Sequence, residues 1–357
     1  MGEYMKKYKI FSLRIWQMVA FFICLICTLM IFIKPKEICL AAKEGLIVCG
    51  ETVIPSLFPF TVIALFMFES GITFALGKLI SPITKPLFKL NRDTASVVLM
   101  SFISGYPVGA KLIDGLHEKG YISSSKAEKM LCYSVNGGPA FITLAVGYGF
   151  LHSERAGVIL LASHIIASLI ICFIVARFDC EKEHSDQCPE RKGILQAFVD
   201  SVAGASSTVF SICSWVILFS VLSQVISILI NNENLSAVIL SFTEVTAGVE
   251  QLAKIGTLPS IAFALGFAGF SVHMQIFSSL KTLRISVAPF LISRFLHGAI
   301  SAIICSIIIK LFPQAVATVS TASGHVLHTN SGSIPLSFAL MLTAAAFMFF
   351  YKSDRVK

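Results

Sequence analysis

Residues Gly157–Ala176 contain nothing more polar than serine except His164, and Arg177–Phe178 close the run. At about 1.5 Å per residue, a helix of this length crosses a hydrocarbon core of about 30 Å. Similar apolar runs recur at Ile15–Ile33, Ala203–Ile230, Val287–Phe312 and Ile334–Tyr351. In lipid the backbone must satisfy its own hydrogen bonds, so such runs are helices. The chain is therefore expected to be an all-α polytopic membrane protein.

Composition agrees. Of 357 residues, 55% are hydrophobic and 13% charged, about half the charge of a soluble domain. The formal net charge of +8 does not point to nucleic acid. The basic residues are scattered through short connecting segments and form no stripe with exposed aromatics, so positive-inside topology explains the excess better. Lys6, Lys7, Lys9 and Arg14 precede the first run and Lys34–Glu37 follow it, with no small-x-small cleavage site, so an uncleaved first helix is expected. Of ten cysteines, Cys24, Cys27, Cys172, Cys213 and Cys305 sit in apolar runs as small hydrophobes. Cys180, His184 and Cys188 have metal-like spacing but lack a fourth ligand. No metal or cofactor is expected.

Four other apolar segments are interrupted. In the first, SGYPVGAK (Ser104–Lys111) breaks a run that begins at Thr94; in the second, AsnGlyGlyPro (Asn136–Pro139) breaks Met130–Leu151. GluValThrAlaGly (Glu244–Gly248) breaks Leu235–Ala253, and GlyPheAlaGlyPheSerValHisMet breaks Leu258–Leu280. Irregular backbone at membrane depth is tolerated only inside protein or beside a wet cavity. A break is thus either a packing kink or part of a site, and paired breaks at corresponding positions of two halves are the pattern of a transporter binding site.

The halves flank the charged stretch DCEKEHSDQCPERK (Asp179–Lys192), which reads as a solvated linker. The expected organisation is an N-terminal helix in 1–36, a first half in 37–178, the linker 179–192, a second half in 193–312, and a tail with a last helix in 313–357. Gly77–Arg92, with lysines among apolar residues, is expected to be interfacial, and Ser123–Ser125 to start a helix.

The residues expected to line a solute site come from these breaks. The first break offers Ser104, Gly105, Tyr106, Pro107 and Lys111, and the second Asn136, Gly137 and Gly138. The third offers Glu244 and Thr246, the fourth Ser271, His273 and Gln275, and Arg294 stands in the next helix. A helix restarting at Pro139 would point a partial positive charge into the cavity, which favours anions. Glu244 either couples a cation or proton or caps a broken helix end. His273 either contacts solute or satisfies a carbonyl, and Lys111 and Arg294 are either counter-charges or interfacial snorkels. Enzyme motifs fail: GFSVH (Gly269–His273) lacks the last glycine of a nucleophile elbow, and no phosphate-binding loop is present.

SGYPVGAK, the SerSerSerLysAlaGluLys helix start, AsnGlyGlyProAlaPheIle, GluValThrAlaGly and GlyPheAlaGlyPheSerValHisMetGln together resemble the sporulation integral membrane protein YlbJ family. That family is SpoVV-like and belongs to the wider group with a nucleoside-recognition or Gate domain. The resemblance runs from about Gly45 to Ala302, in motif order as well as content. It departs from the family pattern at AsnGlyGlyPro, where AsnProGlyPro is common, and at Ala247, where asparagine is frequent. The resemblance implies two structurally related Gate-type halves with broken or re-entrant helices. It further implies a non-enzymatic role in moving dipicolinate, a small aromatic dicarboxylate, toward the forespore across its outer membrane. Tyr106, Phe141 or Phe270 would suit an aromatic ring. The alternatives are a nucleoside or other small-solute transporter and a non-transporting scaffold for spore assembly. The expected partners are the solute and the lipid bilayer, without nucleic acid, and self-association is left open.

Overall fold

The computed structural model describes residues 2–178, 192–230 and 232–313, and every regular element within them is helical. The linker apart from Lys192, the cysteines and histidine within it, and the expected last helix Ile334–Tyr351 lie outside the described residues.

The first run forms α1 (Gly2–Ile33). Next, α2 (Pro35–Val48) passes through a π-helical turn, Cys49–Val53, into α3 (Ile54–Glu69). The three join without a break into one long helical segment. Val48, Val53 and Ile54 all keep right-handed helical angles, and the Ile54 N–H donates to the Cys49 carbonyl, five residues back. Pro55 and Pro59 have no N–H to give, so the ladder changes register here without orphaning a donor.

This segment lies along α9 (Ile194–Leu229). The apolar run from Ala203 is continuous with the residues before it back to Ile194, since nothing between them breaks the helix. Gly45 sits against Ser220 and Ile217, while at the other end Glu69 meets Lys192 at 3.1 Å. Lys192 also donates to Asp200 at 2.8 Å, which holds its amine above the usual lysine range. Helix α4 (Ile72–Phe88) turns away from α3 by 84°, with Leu79 and Ile83 exposed beside Lys78 and Lys85.

The remaining helices fall into two groups, one before α9 and one after it. First come α5 (Arg92–Ser104) and α6 (Tyr106–Glu118), then α7 (Ser124–Leu131) continued by a π-helical segment (Phe141–Phe150), then α8 (Glu154–Arg177). After α9 come α10 (Glu233–Thr243) and α11 (Val245–Ile255), then α12 (Leu258–Phe267) continued by α13 (Gly269–Ser279), then α14 (Val287–Leu311). Asn91, Ser123, Ser153, Asn232 and Thr257 each cap a helix by accepting from the backbone N–H three residues on.

Helices α5 and α6 fold back on each other: a Cβ on Gly109 would lie 2.7 Å from that of Ser101. Helices α10 and α11 do the same, with Gly248 against Ser241. These are two helical hairpins, with tips at Gly105 and Glu244. Gly105 has φ 91° and ψ 179°, a conformation that only glycine adopts without strain. By contrast, α12 and α13 run on as one broken span, and with α8, α9 and α14 they are long and apolar enough to cross a membrane. The chain is a polytopic all-α membrane protein.

The hairpins enter from opposite ends. Asp114, near the base of the first, accepts from the N–H groups of Lys281, Thr282 and Leu283 at 2.9–3.1 Å, beyond the end of α13. The base of the second lies beside the start of α12, at the other end of the same broken span.

Candidate functional site

The four interruptions meet in the interior. A Cβ on Gly105 would lie 3.4 Å from the Gly138 nitrogen, so the first hairpin tip touches the AsnGlyGlyPro break. Similarly, a Cβ on Gly269 would lie 3.0 Å from the Val245 nitrogen, so the second tip touches the α12–α13 break. Two links join these pairs: Tyr106 Oη donates to the Leu265 carbonyl at 2.7 Å, and α6 packs against α13.

Helix ends converging away from water leave carbonyls and amides to be satisfied. A buried one without a partner costs roughly 1–3 kcal/mol. Side chains satisfy several of them here. Arg294, fully buried, donates from both terminal nitrogens to the carbonyls of Cys132 and Val135, just before the second break. His273 Nε2 faces the Phe267 carbonyl at 2.8 Å and closes the end of α12. Glu244 caps α11, its Oε2 accepting from the Ala247 N–H at 2.6 Å, with Thr246 half-buried beside it. Of the roles open to Glu244 and His273 in the sequence, these are the contacts the structure places them in.

Lys111 points away from the breaks, donating to the Gly204 carbonyl at 2.8 Å and to Thr208 Oγ1 at 2.7 Å, and thereby tying α6 to α9. Asn136 donates to Ser101 Oγ and the Tyr133 carbonyl, leaving its Oδ1 without a protein partner. Pro107 stands in the first turn of α6, where it needs no donor. Gly137 has Tyr106 Oη and Ile142 against its α-carbon, and Gln275 is buried farther along α13.

The helix starts are treated unequally. Helices α6 and α13 begin at Gly105 and Ala268 with no side-chain cap. Ser104, immediately before the first, and Ser271, in the first turn of the second, are buried and their hydroxyls have no protein partner. The centre thus combines two open N-termini with unsatisfied hydroxyls. The rings of Phe267, Phe270 and Phe290 surround His273 at 5.0–5.7 Å.

Three buried groups escaped the sequence reading: Asp114, His297 and the pairing of His164 with His297. Lone polar residues in apolar helices look alike; the turn-apart spacing of Arg294 and His297 is the signal that could have found the latter.

A polytopic helical membrane protein whose two helical hairpins meet interrupted apolar segments in its interior is the class these features define, and the nucleoside recognition (Gate) family matches over residues 51–154, which include both breaks of the first half. The resemblance read from the motifs is met more widely. Over 314 residues, covering 76% of this chain and 77% of the relative, the chain is 26% identical to the sporulation integral membrane protein YlbJ of Bacillus subtilis (strain 168). No solved structure matches.

Proposed function

We propose that the chain is a secondary transporter or facilitator that moves a small organic anion, chemically unchanged, through the meeting point of the four breaks. The observation that carries this reading is the pair of uncapped starts of α6 and α13, packed against each other with Ser104 and Ser271 buried and unpartnered. Exposed N–H groups at a helix start favour negative charge. Two such starts suit two carboxylates, and the phenylalanines around His273 suit an aromatic ring between them. Likeness to the YlbJ relative makes dipicolinate the solute to test first and the outer forespore membrane the expected location. The two halves are read as related units inserted in opposite senses, one moving against the other.

A second reading, nucleoside transport, is supported by the Gate match and by the free Asn136 Oδ1. Uptake of labelled dipicolinate into proteoliposomes, with nucleosides as competitors, separates the two. Cysteines at positions 104 and 271 should react with water-soluble thiol reagents and be protected by the transported solute. Absence of both uptake and reactivity would leave the scaffold reading.

A further inference from the structure

Two histidines outside the proposed anion site stack beside it. His164 of α8 and His297 of α14 lie with ring centroids 4.3 Å apart and planes tilted by 38°, both buried. Hydrogen bonds fix their tautomers. The Gly137 N–H donates to His164 Nε2 at 3.0 Å, so a neutral His164 carries its proton on Nδ1. His297 Nε2 faces the His164 carbonyl oxygen at 3.0 Å and must donate, so a neutral His297 has a bare Nδ1. Neither Nδ1 has a protein partner.

We propose that the His164–His297 pair is the proton-binding site that couples anion movement to a proton, the proton entering at His297 Nδ1. This rests on the transport reading above. The charged and titratable groups around the pair set the coupling. From α6 comes Tyr106, its ring 6.3 Å from His164 and its hydroxyl donating to Leu265. The segment before the second break brings Cys132 and Tyr133, and α14 brings Cys305 and, one turn before His297, Arg294. Among these only Arg294 carries a permanent charge.

A proton on the pair therefore has a guanidinium for a neighbour and no balancing anion until solute arrives. An anion at the starts of α6 and α13 supplies that balance. Each ligand then favours the other by the same factor, because coupling between two binding sites is reciprocal. The link is also mechanical: His164 holds the amide of Gly137, inside the break that touches the first hairpin tip.

The test uses the full chain in proteoliposomes with labelled dipicolinate. An acidic exterior at clamped membrane potential should raise uptake several-fold, and His297→Gln should remove that stimulation. The glutamine amide can still donate to the His164 carbonyl but cannot hold the proton. Uptake indifferent to the gradient, or stimulation intact in H297Q, overturns the inference while leaving the transport reading in place. If the wild type moves no dipicolinate, the transport reading fails and the pair is judged by itself. Nitrogen-15 spectra of histidine-labelled wild type in nanodiscs, followed down to about pH 4, well below the ordinary histidine range, then decide. One added proton, on the His297 ring, supports the site; two rings that stay neutral overturn it. The same spectra decide if H297Q does not insert.

Discussion

A methyl group added at Gly109 would lie 2.2 Å from the Ser134 carbonyl oxygen and 2.7 Å from the Ser101 side chain, the first held just beyond α7 by the bond from the Ser134 N–H to the Met130 carbonyl and the second set in α5. Gly109→Ala should therefore destabilise the protein by about 1–3 kcal/mol through overpacking. Gly50→Ala, with nothing within 4 Å, should change little. Thermal unfolding in detergent compares the two. Arg294→Met should do more damage, because it orphans two buried carbonyls at roughly 1–3 kcal/mol each. Arg294→Lys should rescue it only in part, since a single ammonium cannot reproduce the guanidinium fork. Stable insertion of R294M at wild-type levels would show that those carbonyls find other donors.

At the scale of elements, Glu244 matters as the tip of a hairpin. Glu244→Gln should weaken the cap on α11 by about 1 kcal/mol, through the lost interaction of a carboxylate with a helix start. It should also lower the protection of the 271 cysteine by solute, read as a faster modification rate. The positions of the breaks were legible because glycine, proline and a buried acid stand out in apolar sequence. Their outcomes were not. SGYPVGAK and AsnGlyGlyPro have nearly the same chemistry, yet the first turns the chain back into a second α-helix and the second leads into a π-helical segment. The difference lies in contacts distant in sequence: Gly109 has room only for Ser134 and Ser101, and Tyr106 reaches Leu265. The roles of Lys111 and Arg294 were equally hidden, because their partners are carbonyls that carry no sequence signal.

For the whole molecule, the opposed hairpins divide the connecting segments between two ends, and the basic residues follow that division. One end holds Lys78, Lys85, Lys89, Arg92, Lys119, Lys126, Lys192, Lys281 and Arg284; the other holds Lys34, Lys36, Lys43, Arg155, Lys254 and Lys310. By the positive-inside rule the first end is predicted to face the cytoplasm. A membrane-impermeant maleimide should then label a cysteine at Lys254 in intact cells and one at Glu118 only after permeabilisation. Labelling in the reverse order would invert the assignment. The Asp114 carboxylate bears on how the chain is assembled. It lies on the first half, yet three of its donors are backbone amides of the second, and Glu128 likewise accepts from the Ser286 N–H at 2.9 Å. The halves are fastened at that end by four backbone amides that no substitution in the 281–286 segment short of proline deletes. A gene split between codons 178 and 192 should therefore yield two polypeptides that find each other when co-expressed. Asp114→Asn should be the single change that most weakens their reunion.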